Sequence, residues 1–222
     1  RSVADPAVIE EVADVLSKAK KPVIYAGQGV HYAEAWPELK QLAEEWNIPV
    51  TTSLEGKSAF PENHPLSLGS GGRSIPKNVH EFLQEADVIF GIGCSFALTG
   101  FGVRIPRGKT IVHATLDPMD LNKDVPAKYA LAGDAKLILQ SLNSALDSRD
   151  RSESEARKVP TPLRIKETKE SWLQEWMPKL TSQNTPINPY RVLWDLLHTV
   201  DIDNTIITHD AGSPRDQITP FW

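Results

Sequence analysis

Apolar residues fall along this chain in two alternating spacings. Short unbroken runs such as Val23-Ile24-Tyr25 and Val88-Ile89-Phe90, bounded by proline, glycine or aspartate, read as strands buried on both faces. The first run opens at Pro22 and passes straight into the glycine turn Gly27-Gln28-Gly29, and the other strands can be laid beside it. Further runs at Val50 to Ser53, Asp87 to Cys94, Thr110 to Leu116, Tyr129 to Ala132 and Thr205 to Thr208 predict more strands. Between them the spacing switches to the helical period. Val8, Val12, Val15, Leu16 and Ala19 predict a helix over Pro6 to Lys20, with Asp5 as cap, and Leu39, Leu42, Ala43 and Trp46 predict another from Pro37. A helix near Pro76 to Glu85 and one over Ala135 to Leu146, entered through Gly133-Asp134, follow. Strand, helix and strand recur in about thirty residues, the size of a right-handed crossover unit. The pattern predicts an α/β fold with a parallel, Rossmann-like sheet.

Two stretches break the rhythm. From Leu54 to Arg73, Gly56, Pro61, Pro65, Gly69, Gly71 and Gly72 interrupt every period, which predicts a long irregular loop. Asp147 to Pro162 is dense in charge and poor in apolar groups, which predicts a linker. After it come a helix carrying Trp172, Trp176 and Leu180, and a helix capped by Asn188-Pro189 with Val192, Leu193, Leu196, Leu197 and Val200. This second α/β unit stops after one helix and one strand, too little to bury a core of its own. The expected organisation is a domain over residues 1–146, a linker and connecting helix over 147–186, and an incomplete unit over 187–222.

Charge narrows the functional classes. Lys and Arg number 24 against 29 Asp and Glu, a net charge of -5, so no global positive excess is present to hold nucleic acid. No apolar run reaches membrane length, and no secretory pattern opens the chain. The single Cys94 makes no internal disulfide and favours a reducing, cytoplasmic setting. Arg1 and the apolar Pro220-Phe221-Trp222 ending suggest a piece of a longer polypeptide.

Candidate chemistry gathers at strand ends. Gly27 and Gly29 let either a nucleotide phosphate or another backbone approach closely, and Gly91 and Gly93 leave space at a second carboxyl end, where open parallel sheets bind ligands. Asp117, just past a strand, either bonds ribose hydroxyls or caps the turn that Pro118 begins. The histidines, at positions 31, 64, 80, 113, 198 and 209, show no paired metal spacing, and Cys94 has no cysteine partner for zinc. His209 stands beside a small-residue turn, as a site residue or as a strand-end histidine bonded to a carbonyl.

Taken in order, Lys21-Pro-Val-Ile-Tyr-Ala-Gly-Gln-Gly, Gly56-Lys-Ser-Ala-Phe-Pro-Glu-Asn-His-Pro-Leu-Ser-Leu-Gly, Asp87-Val-Ile-Phe-Gly-Ile-Gly and Leu116-Asp-Pro resemble the central domain of thiamine-diphosphate enzymes, the acetolactate synthase group above all. Gly133-Asp134-Ala135 and Pro186-Ile-Asn-Pro-Tyr-Arg-Val keep the same order, and His209-Asp-Ala-Gly resembles the opening of that family's diphosphate-binding domain. The resemblance implies a DHS-like nucleotide-binding central domain followed by the start of the carboxyl-terminal domain. It implies a lyase or transferase that decarboxylates a 2-keto acid and protonates the product or joins it to a second carbonyl, with thiamine diphosphate and Mg²⁺ as cofactors and a homodimer or homotetramer as the assembly. The glutamate that activates the cofactor and the Gly-Asp-Gly metal motif belong to the family's other domains, so no catalytic residue is expected here.

Binding positions carried over from the family are Ala211, Gly212 and Ser213 for thiamine diphosphate, although Ser213-Pro214-Arg215-Asp216 replaces the commoner Gly-Gln-His pattern. For a nucleotide in the central domain they are Gly27, Gln28, Gly29, Thr52, Ser53, Leu54, Gly91, Gly93 and Asp117. Relatives hold FAD there, or ADP, or nothing. The Gly-Ala-Arg-Phe-Asp-Asp segment of the flavin-binding members reads here Gly93-Cys94-Ser95-Phe96-Ala97-Leu98, without the arginine and both acids, which favours an empty domain over FAD or ADP. A non-catalytic nucleotide-binding or structural module of the same fold is the alternative. An NAD-dependent deacylase of related topology needs paired Cys-x-x-Cys zinc sites that one cysteine does not furnish.

Overall fold

The computed structural model describes residues 2–222. Six strands form one sheet in the order β3-β2-β1-β4-β5-β6, every neighbour parallel. They are β1 (Pro22–Ala26), β2 (Val50–Thr52), β3 (Ser67–Ser70), β4 (Val88–Ile92), β5 (Thr110–Thr115) and β6 (Tyr129–Ala132). The run read first from the sequence thus sits centrally, Ile24 standing opposite Val50 on one side and Phe90 on the other.

Side chains of successive strand residues point to opposite faces, and this alternation divides the core into two layers. Ile24, Ala26, Phe90, Ile92, Val112 and Ala114 pack under α1 (Pro6–Lys18), α3 (Trp36–Trp46) and α5 (Ala135–Leu146), and the single turn of α2 (Gly29–Tyr32) follows β1. Val23, Tyr25, Ile89 and Ile111 face the other way, against Val79, Phe82 and Leu83 of α4 (Lys77–Glu85) and Ile165 of α7 (Pro160–Leu180). The helix caps are those the residue types predict: Asp5 accepts from the Ala7 amide, Asp134 from Lys136 and Leu137, and Asn188 from Tyr190 at the head of α8 (Pro189–Thr199). In α1 the buried stripe is Ile9, Val12, Ala13 and Leu16, while Val8 and Val15 are only partly covered.

Three expectations are corrected. Ser67 to Ser70, inside the stretch read as irregular, is edge strand β3. Its four residues are too short for a visible period, and Gly69 at φ +88° shifts the register between Val50 and Thr51. The hydroxyls of Thr51 and Thr52 tie it in, bonding the Gly69 carbonyl at 2.8 Å and the Ser70 hydroxyl at 2.9 Å. Thr205 to Thr208 is not a strand: it runs without a sheet partner among the described residues, and Ile206 is 94% exposed. The charged stretch after Leu146 is not a bare linker either. It folds as α6 (Ser152–Arg157), with Ser154 and Arg157 buried against α1 and α3.

Beyond α7 the chain is held mainly by aromatic contacts. Phe221 stacks on Trp172 at 5.0 Å and meets Trp176 edge-on at 5.6 Å, and Tyr190 meets Trp176 at 4.9 Å. No residue of α8 is buried, although its apolar side chains recur on one face, as expected of a unit too small to close a core.

Candidate functional site

The strand order reverses between β1 and β4, and a cleft of about 430 Å³ opens there at the carboxyl ends of the strands. This is where a doubly wound sheet binds ligands, because loops from neighbouring strands part in opposite directions. Gln28 and Gly29 line it from β1, Ser53 and Glu55 from β2, Gly93, Ser95 and Phe96 from β4, and Thr115, Asp117 and Asp120 from β5. Asp134 closes it from the head of α5.

Of the residues expected to touch a nucleotide, the fold brings Gln28, Gly29, Ser53, Gly93 and Asp117 to this cleft. The others stand back from it. Gly27 is buried against the neighbouring turn, where an added Cβ would lie 2.3 Å from the Gly93 carbonyl oxygen. Gly91 lies under the Phe96 ring, its own Cβ position 2.2 Å from that ring's tip. Thr52 is buried with its hydroxyl on Ser70, and Leu54 packs toward Gly72. The glycines let two backbone turns approach closely, while Gly29 and Gly93 also line the cleft. The Gly29 amide donates to the Gly93 carbonyl at 2.8 Å, the Gly27 amide to Ile92 at 2.9 Å and the Gly93 amide to Ala114 at 2.8 Å. Asp117 caps its turn, accepting from the Met119 amide at 2.9 Å, while also bordering the cleft.

Behind the cleft lies an aromatic floor. Phe96, at φ +50°, is stacked on Tyr25 at 5.5 Å and tilted against His113 at 4.7 Å. Burial holds the Tyr25 hydroxyl in its neutral form, with Cys94 and Glu55 adding to the upward push, and raises the Cys94 thiol to about 12. Burial lowers His113, whose Nε2 donates to the Cys94 carbonyl at 2.8 Å and whose Nδ1 is buried without a partner. These groups are a neutral, packed wall. Neither thiol nor imidazole is activated for proton transfer.

Sequence reasoning passed over Tyr25, Glu55, Ser95, Asp120 and Asp134 as cleft residues. The signal for two of them was present: Asp120 and Asp134 follow strands, as Asp117 does. What hid them was their equally good reading as cap and turn residues.

Ala211, Gly212 and Ser213 lie far along the chain in an exposed turn before α9 (Ser213–Ile218). Gly212 has φ +88° with open space around it, the Ala211 amide is bonded to the Asp210 carboxylate at 2.7 Å, and no strand leads into the turn. Arg215 pairs with Asp216 at 2.9 Å and lies over the Phe101 ring, and His209 shares a hydrogen bond with the Asp210 carbonyl. No cluster of metal-ligating side chains occurs among the described residues.

A parallel sheet in the order 3-2-1-4-5-6, with a cleft at its reversal point, defines a Rossmann-like α/β domain. The chain belongs to the family described as thiamine pyrophosphate enzyme, central domain, whose model matches residues 9–142. It is 36% identical over 238 residues to a probable acetolactate synthase large subunit of Methanocaldococcus jannaschii, covering all of this chain and 37% of that protein. It is 32% identical over 225 residues to a sulfoacetaldehyde acetyltransferase of Roseovarius nubinhibens, covering 92% of this chain and 37% of that one. Among solved structures, benzoylformate decarboxylase from Polynucleobacter necessarius matches with a TM-score of 0.55 and 27% identity, over 69% of this chain and 29% of that chain. The chain therefore spans little more than a third of these curated relatives.

Proposed function

We propose that this chain is the central part of a thiamine-diphosphate-dependent lyase or transferase acting on a 2-keto acid, with acetolactate-synthase-like decarboxylation and carboligation. The observation that carries the reading is the 36% identity to an acetolactate synthase large subunit, which runs through the whole chain rather than the central domain alone. Residues 1–146 are assigned to the central domain, 147–186 to the connection and 187–222 to the opening of the diphosphate-binding domain. Thiamine diphosphate with Mg²⁺, when bound to the full-length enzyme, would supply the electron sink for decarboxylation. No residue of this chain is assigned a catalytic role, and the chain alone is not expected to turn over substrate.

The central domain's part in such an enzyme is mechanical. Its two-layered core and the buried attachment of α6 hold a rigid body from which α7 and α8 extend. A cytoplasmic homodimer or homotetramer is the proposed setting, and no helix among the described residues is long and apolar enough to cross a membrane. The test is to give the full-length protein thiamine diphosphate, Mg²⁺ and pyruvate, and to measure carbon dioxide release and acetolactate. Cofactor-dependent carbon dioxide release is expected. Its absence with pyruvate and with a panel of other 2-keto acids would remove the reading.

A further inference from the structure

We infer that a second pocket, at the amino ends of β1 and β2 and so at the opposite edge of the sheet from the cleft, binds a small monocarboxylate with a compact apolar body. Its occupancy is measured without turnover, so it stands or falls apart from the proposed keto-acid chemistry.

The walls set the size and the apolar character of the occupant. α6 and the first turns of α7 face the starts of β1 and β2 across a space of about 290 Å³. Ligand pockets begin at about 300 Å³, so only a small molecule fits. Pro22, Val23, Pro49, Phe82 and Pro160 line it with hydrocarbon. Three of these are prolines, which have no amide hydrogen to offer, so polar recognition falls to side chains. Arg164 lies over the Phe82 ring at 4.7 Å and is held there by both oxygens of Glu85, which makes it part of a fixed wall.

Charge sets the rest. Lys20, Lys21, Arg157 and Arg164 line the pocket, against Glu85 and Glu153. Glu85 takes Arg164 and, at 2.9 Å, the Lys21 ammonium. That leaves Lys20 and Arg157, neither of which forms an ion pair among the described residues, with Glu153 acting on Arg157 only from a distance. One negative charge balances this remainder better than two. The Lys20 backbone is pinned, its amide donating to Asp87 at 2.7 Å, while its side chain stays free at the exposed side of the pocket.

Arg157 gives the site its second, independent sign. The residue is 7% exposed, its terminal nitrogens donate to the carbonyls of Ala19 and Trp46, and its Nε is buried without a hydrogen-bond partner. A buried donor without an acceptor is unfavourable, and a carboxylate oxygen brings both the acceptor and the counter-charge. A neutral ligand brings no charge, and a bare inorganic anion leaves the hydrocarbon walls unfilled.

The experiment titrates the full-length protein by calorimetry with benzoate, with its neutral analogue benzamide and with inorganic phosphate, at constant ionic strength. Wild type is compared with Lys20→Gln, which removes the free ammonium from an exposed side chain, and with Thr161→Leu, which fills the pocket from α7. Thermal midpoints check that both variants are folded. Benzoate is expected to bind with a Kd on the order of 1 mM, and benzamide and phosphate at least about tenfold more weakly. Lys20→Gln is expected to weaken benzoate about fivefold and Thr161→Leu to abolish its binding. Benzamide or phosphate binding as well as benzoate overturns the inference, as does benzoate binding that neither variant changes. So does the lack of any saturable benzoate binding to wild type.

Discussion

The guanidinium of Arg157 donates to the main-chain carbonyl of Trp46 at 3.0 Å, and its other terminal nitrogen donates to the carbonyl of Ala19. One buried side chain thus ties together the carboxyl-terminal ends of α3 and α1, where unpaired carbonyls and the helix dipoles both favour a cation. Burial pulls the Arg157 pKa down from its ordinary value, opposed by the more distant Glu153 and Asp87. Carbonyls, not an ion pair, take its two terminal nitrogens, while its Nε is buried without a hydrogen-bond partner. Replacing Arg157 with alanine leaves both carbonyls without their partner and empties a packed site, so a loss of roughly 3 kcal/mol is expected in urea unfolding. A loss below about 0.5 kcal/mol would show that α6 is only resting on the domain.

At the carboxyl end of α4, Glu85 receives both terminal nitrogens of Arg164, at 2.8 and 2.6 Å, and the Lys21 ammonium at 2.9 Å. Hydrogen bonds from Arg164 and then Lys21 hold the Glu85 carboxyl at about 2, down from 4.5. A lowered folded-state pKa stabilises above the unfolded value, and that stability is lost as pH falls from 4.5 toward 2. Because the Glu85 side chain is 40% exposed, screening reduces the effect to about 1 kcal/mol. Glu85→Gln is expected to be less stable than wild type by that amount at pH 7, with the gap closing through the acid range. A constant gap across a pH series of unfolding curves would contradict the linkage.

The interlocked turns make an asymmetric pair of glycine substitutions. Gly27→Ala puts a methyl 2.3 Å from the Gly93 carbonyl oxygen, with backbone on both sides unable to yield, and is expected to cost roughly 3 kcal/mol. At Gly100 an added methyl meets nothing within 4 Å, so Gly100→Ala is expected to stay within about 0.5 kcal/mol of wild type. Thermal unfolding of both variants separates a packing role for Gly27 from a merely permissive turn.

Cys94 provides a chemical probe of the cleft floor. The residue is 7% exposed and burial pushes its thiol pKa up to about 12, so almost no thiolate forms at pH 8. Iodoacetamide is expected to leave it unmodified in the native protein and to label it fully in guanidinium, as read by intact mass. Rapid native labelling would mean that the Phe96 wall opens readily.

How far these features were legible differs from residue to residue. The strand at Val23 to Tyr25 and the helix over Ala135 to Leu146 were readable because local period, caps and breakers agreed. β3 was not, since its four residues carry no alternation and its place is set by pairing with β2. Thr205 to Thr208 has strand-forming residues but no partner among the described residues, and propensity alone does not make a strand. The charged stretch before Pro162 reads as linker because its anchoring residues are a serine and an arginine, types that composition assigns to solvent.

By itself the sequence determined the α/β class, the parallel sheet and the family, because these follow from local periodicity and from short motifs in a fixed order. Tertiary structure alone decided which backbone the glycine turns meet. Gly27 and Gly29 lie against Gly93, just past a strand more than sixty residues away in the chain. The fold also gathered Asp117, Asp120 and Asp134 around one cleft. Charge at a site is a sum over segments that only folding brings together, and no single segment carries it.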